Sequence, residues 1–157
     1  MRKQILGSGP AQTSASSQRW LDLAEIARVE ITSEDAAHPI EMALSPEAES
    51  GWRAGQPGKQ TIRFIFDQPQ RLRRIRLHFE ESAHPRTQEF VLRWSADGGR
   101  SFREIVRQQW NFSPPATTAE DEDYQVDLSD VTVLELNITP DISGGDARAS
   151  LRQMSIV

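Results

Sequence analysis

QTIRFIFDQPQRLRRIRLHFEESAHPRTQEFVLRWSADGGRSFREIVRQQW, residues 60–110, decides the fold. It divides into four runs: Gln60–Phe66, Leu72–Glu80, Gln88–Ser95 and Phe102–Trp110. Ile75, Leu77 and Phe79 alternate with Arg74, Arg76, His78 and Glu80. Phe90, Leu92 and Trp94 alternate with Glu89, Arg93 and Ser95. A period of two sends one set of side chains to a core and the other to water, which is the signature of a β-strand. Asp97-Gly98-Gly99 predicts a tight hairpin between the last two runs, because such a turn needs residues that accept positive φ. Asp67–Gln70 and Ser82–Arg86, each holding a proline, are expected to be the other connections.

Outward from this block the same logic continues. Arg28–Thr32 alternates and is rich in β-branched residues, so it is the first strand. Trp20–Ala27 suits either a helical turn or an extended lead-in. Pro39 ahead of Ile40–Leu44 predicts a short helix, which Pro46 stops. Glu47–Lys59, with its glycines, Pro57 and Trp52, is expected to be a long loop. A second loop is expected over Trp110–Asp123, ending in the acidic run Glu120–Asp123. Tyr124–Leu128 and Val133–Thr139 read as strands, and Pro140–Asp146 as a third loop. Ala149–Val157 is the closing strand; the irregular spacing of Leu151, Met154 and Ile156 predicts a bulge. Short strands with no room for helices between them predict an all-β chain, an eight-stranded antiparallel β-sandwich of the jelly-roll type. Residues 1–19 are expected to be a flexible tail and residues 20–157 a single domain.

Composition narrows the function. The chain has 157 residues, a formal charge of -5 and no cysteine. The acidic balance speaks against nonspecific nucleic-acid binding. Without cysteine there is no disulfide framework, thiolate nucleophile or cysteine zinc site. No run is long and apolar enough for a signal segment or a membrane span, so a soluble, cytoplasmic location is expected. No phosphate loop, dinucleotide fingerprint or Gly-x-Ser-x-Gly elbow is present. His38, His78 and His84 lack metal-ligand spacing. Glu120–Asp123 reads as solvated loop, with cation chelation as the sharper alternative. Arg63, Arg74, Arg76 and Arg93 share outward positions with Glu80, Glu89 and Glu135, which predicts cross-strand ion pairs on a wet face rather than a basic stripe for phosphate or sulfate.

Ser95–Ile105, Ser-Ala-Asp-Gly-Gly-Arg-Ser-Phe-Arg-Glu-Ile, resembles the hairpin of galactose-binding-like domains, a superfamily that includes discoidin (coagulation factor type C) domains and bacterial carbohydrate-binding modules. The surroundings follow in order. Gly51-Trp52 leading into Gln60–Phe66 is similar to the family's loop tryptophan and first long strand, and Arg71–Leu77 to the next strand. Tyr124–Leu128 with Val133–Ile138 resembles its penultimate pair, and Ala149–Ile156 its closing strand. The resemblance spans about Val29 to Val157. It implies a jelly roll that binds ligands at loops on one end and has no catalytic activity. Many members hold a structural calcium with an Asp-Gly before the tryptophan and a glutamate in the closing strand. Here those places read Leu44-Ser45-Pro46-Glu47 and Gln153. No obligatory metal and no cofactor are therefore expected.

The ligand is expected among the loops Gly51–Gly58, Asn111–Pro115 and Asp141–Gly145. The candidate binding residues are Trp52, Arg53, Trp110, Asn111 and Phe112. Trp52 stacks on a sugar or plugs the core under its loop; Arg53 beside it is placed to meet a hydroxyl or carboxylate. Trp110 and Phe112 share one strand face, so both serve a ligand or both serve the core, and Asn111 takes the other face. Two functions follow. One is a non-catalytic, carbohydrate-binding module. The other is a protein-interaction or assembly domain, which an exposed apolar patch would support. The sequence leaves the oligomeric state open.

Overall fold

The computed structural model describes residues 20–157; the tail expected over 1–19 lies outside the described residues. Leu23–Ile26 (α1) is one helical turn that leads directly into Ala27–Ile31 (β1). Glu41–Leu44 (α2) is the short helix expected after Pro39. The remaining strands are Trp52–Arg53 (β2), Gln60–Glu80 (β3), Arg86–Ser95 (β4), Arg103–Phe112 (β5), Ala119–Thr139 (β6), Ser150–Leu151 (β7) and Gln153–Ile156 (β8). Every strand pairing is antiparallel.

The partition into strands differs from the expected one. Asp67–Gln70 is not a loop: it lies inside the 21-residue β3. Tyr124–Leu128 and Val133–Thr139 belong to one 21-residue β6, which also takes in Glu120–Asp123. β3 and β6 pair from Gln60–Ile138 to Glu80–Ala119, with register shifts confined to the stretch from Ile65 to Arg74. These shifts, and the left-handed Asp130 (φ 59°), mark where the ribbon bends over on itself. Pro69 signals that bend in a paired ribbon rather than a free turn.

The bend creates the two layers. The first half of β3 and the second half of β6 join β1, β4 and β5. The other halves form the second layer with β8. Phe79 of the second layer stacks on Phe90 of the first, ring centroids 5.3 Å apart. Ile62, Phe64, Ile75, Leu77, Leu92, Leu134 and Leu136 fill the space between, and half-buried Trp94 packs against them. Each such side chain contributes roughly 1.5–3 kcal/mol of burial.

The acidic run is a strand because its alternate carboxylates meet cations. Asp121 lies opposite His78 and Asp123 opposite Arg76. Arg74 also grips both oxygens of Asp123. On the outer face of the first layer, Glu30, Arg63, Glu135, Arg93 and Glu104 line up across β1, β3, β6, β4 and β5. The expected ion pairs form, but Glu135 is not solvated: it is only 1% exposed. Arg63 Nη2 and Asn137 Nδ2 each donate to it at 2.6 Å, and Arg93 donates to its other side. Phe102 lies against both guanidiniums.

The β4–β5 hairpin forms where it was expected, with Gly98 and Gly99 at φ 76° and 96°. Asp97 accepts hydrogen bonds from the Ser101 hydroxyl, the Ser95 hydroxyl and the Ser101 N–H, which hold its carboxyl well below the usual range. At the chain's end the predicted irregularity falls at Arg152. Its N–H donates to the His78 carbonyl (2.8 Å) where β7 gives way to β8. Among the described residues no helix is long and apolar enough to cross a membrane.

Candidate functional site

Because the ribbon doubles back, the links 51–59, 81–85, 113–118 and 140–149 gather where β3 both starts and finishes. The Gly58 N–H donates to the Ala147 carbonyl (3.2 Å), Glu81 N–H to Thr118 (2.8 Å) and Ile142 N–H to Thr87 (2.9 Å). Arg86 ties this end together. Its side chain donates to Glu81 (2.7 Å), to Gln88 (3.1 Å) and to the Pro140 carbonyl (2.7 Å), and lies over the Phe112 ring.

A cleft of about 450 Å³ opens here between the β2–β7 pair and the β3–β4 link. Alternation builds its wall. Trp52, Ala54, Ala149 and Leu151 are buried, so Arg53, Arg148, Ser150 and Arg152 take the other face. Glu80, Glu81 and Ser82 stand across from them, and His38 and Ser50 complete the lining. β2 is pinned on both sides: Arg53 N–H donates to the His38 carbonyl (3.1 Å), Asp35 N–H to the Arg53 carbonyl (2.8 Å) and Ala54 N–H to the Ala149 carbonyl (2.9 Å). Gly51 permits the close approach. It sits at φ 72°, and a Cβ there would lie 2.7 Å from the Leu151 carbonyl oxygen.

The carboxylates of the cleft are already engaged. Glu81 accepts from Arg86 and from the N–H groups of Ala83 (3.0 Å) and His84 (3.2 Å). Burial opposes its charge, but these donors outweigh burial and hold its carboxyl below the usual range. Glu80 contacts His78 (2.7 Å) and lies 3.9 Å from Arg152. Arg152 also donates to the Ala48 carbonyl (3.0 Å). Arg53 and Arg148, by contrast, form no salt bridge with any described residue. The field of Arg53 does reach Asp35, whose carboxyl is held low chiefly by the Ala37 N–H. The cleft therefore offers guanidinium donors and the hydroxyls of Ser50, Ser82 and Ser150. Among the described residues no cluster of His, Asp or Glu is arranged to hold a metal ion.

The five predicted site residues are divided by the fold. Arg53 lines the cleft. Trp52 is its floor, 1% exposed, with Nε1 donating to the Ser33 carbonyl (3.1 Å). Trp110 and Phe112 share the inner face of β5, opposite Gln88 and Arg86. Phe112 is buried; Trp110 is half-buried, its Nε1 enclosed with no acceptor. Asn111 points outward, accepts from the Thr87 hydroxyl, and lines a second depression with Asp141 and Ser143. The Glu81–Arg86 link separates that depression from the cleft. Arg148, Ser150 and Arg152 escaped the sequence reading. Their signal was present as alternation against Ala149 and Leu151, but strand β7 is two residues long and its partner β2 lies about a hundred positions earlier.

No protein-family model matches the chain, and no curated protein sequence does. Solved structures do. A Clostridium perfringens module, CpGH89CBM32-5, determined with GalNAc-beta-1,3-galactose, superposes with TM-score 0.62 at 15% identity, covering 88% of this chain and 99% of that one. The family 32 module of C. perfringens NanJ, determined with galactose, gives TM-score 0.59 at 12% identity over 87% of this chain and 96% of that one. A pectin-binding module gives TM-score 0.54 at 15% identity over 83% and 89%. The bent ribbon, the paired layers and these superpositions identify the fold of the chain as the galactose-binding-like, discoidin-type β-sandwich.

Proposed function

We propose that the chain is a non-catalytic carbohydrate-binding module that takes its sugar in the cleft beside Arg53. The observation that carries this reading is the pair of guanidiniums, Arg53 and Arg148, left without salt bridges beside serine hydroxyls at the loop end of a rigid sandwich. Ring hydroxyls of a pyranose accept from such donors and donate to serine oxygens. The similar modules determined with galactose and GalNAc-beta-1,3-galactose support the ligand class. Glycoside hydrolysis needs one free carboxylate and one acid. Glu81 is held by Arg86 and two backbone N–H groups, and Glu80 by His78, which supports a binding rather than a hydrolytic role. The competing role, a protein-docking domain, wants a contiguous apolar patch. Trp20, Met42 and Ile142, the exposed large apolar residues among those described, sit on separate segments. The absence of cysteine fits a reducing, cytoplasmic setting.

A glycan array tests the reading. Binding of at least one glycan, lost in Arg53→Ala with the melting temperature unchanged, supports it. A flat array together with a concentration-dependent dimer in sedimentation replaces it with the docking role.

A further inference from the structure

We infer that the cleft is built for an anionic sugar, one that carries a carboxylate or a sulfate ester. The inference rests on the carbohydrate reading above and concerns the charge of the ligand.

The chain as a whole is acidic, at -5. Yet the cleft collects Arg53, Arg148 and Arg152 on one wall, and its two carboxylates are already matched by cations. Most arginines elsewhere on the sandwich are neutralised locally, Arg63 and Arg93 by Glu135, Arg71 by Asp127, Arg74 by Asp123 and Arg107 by Glu89 and Glu104, while Arg73, Arg100 and Arg103 form no salt bridge with a described residue. Arg53 and Arg148 also lack a salt bridge, and these two line the same cleft. Their placement follows from the backbone. Arg53 lies directly opposite Ser150 in the β2–β7 pair, and Arg148 stands two residues before Ser150 on the same face. A guanidinium fork matches the two oxygens of a carboxylate or sulfate better than it matches a single hydroxyl. The cleft also lacks what a neutral sugar most uses. Its only aromatic ring besides His38 is Trp52, and that ring is buried beneath the floor with its N–H already bonded to Ser33. Without a stacking platform, the affinity has to come from charge and hydrogen bonds. Ser50, Ser82 and Ser150 then serve the uncharged hydroxyls around the ring.

Titration calorimetry on the full chain tests this with three probes: trigalacturonate, its trimethyl ester, and galactose 6-sulfate. The ester keeps every ring and hydroxyl, and replaces each charged carboxylate with a neutral methyl ester. The expected result is binding of trigalacturonate or galactose 6-sulfate at least about tenfold tighter than the ester, the size of one hydrogen bond to a charged group. Which of the two anions binds identifies the source of the charge. The preference should shrink as salt is raised. Arg148→Gln should weaken the anion about tenfold more than it weakens the ester, with the melting temperature unchanged. Arg53→Gln should likewise narrow the gap between anion and ester, which keeps the test sound if one variant misfolds. Equal binding of trigalacturonate, galactose 6-sulfate and the ester overturns the inference while the carbohydrate reading stands. Glycan-array binding confined to neutral sugars does the same. No binding to any sugar overturns both.

Discussion

Gly51 and Gly58 are both left-handed glycines near the cleft, yet they answer to different physics. At Gly51 a Cβ would meet backbone atoms of Leu151 and Arg152 at 2.7 and 2.8 Å; at Gly58 it would meet nothing within 4 Å. Gly58→Ala should therefore cost only the left-handed penalty, about 1–2 kcal/mol. Gly51→Ala adds displacement of β7 and should cost at least about 3 kcal/mol in urea unfolding. Equal costs would show that β2 and β7 are not held as close as described. Glu120 is a second telling residue. Burial pushes its carboxyl well above the ordinary 4.5, and neighbouring Glu122 pushes it the same way. A raised carboxyl stabilises the fold fully below its unfolded value and loses that contribution as pH rises. Thermal melts should thus show Glu120→Gln gaining on the native chain as pH climbs from 5 to 8. A pH-independent difference would mean that Glu120 is charged in the fold.

At the scale of elements, what was legible and what was not have one cause. The β4–β5 hairpin, β1 and the short helix α2 were legible because alternation, Asp97-Gly98-Gly99 and Pro39 act over neighbouring residues. The acidic run looked like loop because the cations that neutralise it, Arg74, Arg76 and His78, sit in β3, some forty-five positions earlier. The cleft was half legible. Arg53 stood out beside Trp52, whereas Arg148 gains meaning only once β7 is placed against β2. For Glu135 the ion pairs were legible but the burial was not, because it is enclosed only once arginines from both neighbouring strands, β3 and β4, close on it. Its removal is informative. Glu135→Gln should cost about 2–3 kcal/mol, since two charged donors lose their acceptor. In a double-mutant cycle with Arg93→Met, the coupling should exceed the roughly 0.2–1 kcal/mol of an exposed pair. A cycle energy inside that range would show the row to be ordinary surface chemistry.

On the scale of the whole molecule, one ribbon supplies strands to both layers. Neither layer can then lose its order alone, because each half of β3 continues covalently into the other. Urea transitions followed by tryptophan fluorescence and by far-UV circular dichroism should superimpose. Two separated transitions would mean that the layers unfold independently.

The turn at Gly98 and Gly99 has a practical corollary. β4 runs from Arg86, beside the cleft, to Ser95, beside that turn, a span of about 30 Å for its ten residues. The tip is a natural handle. A dye, a biotin or a surface anchor grafted at Gly98 would leave the mouth of the cleft facing solution, so that immobilised molecules all present the same end outward.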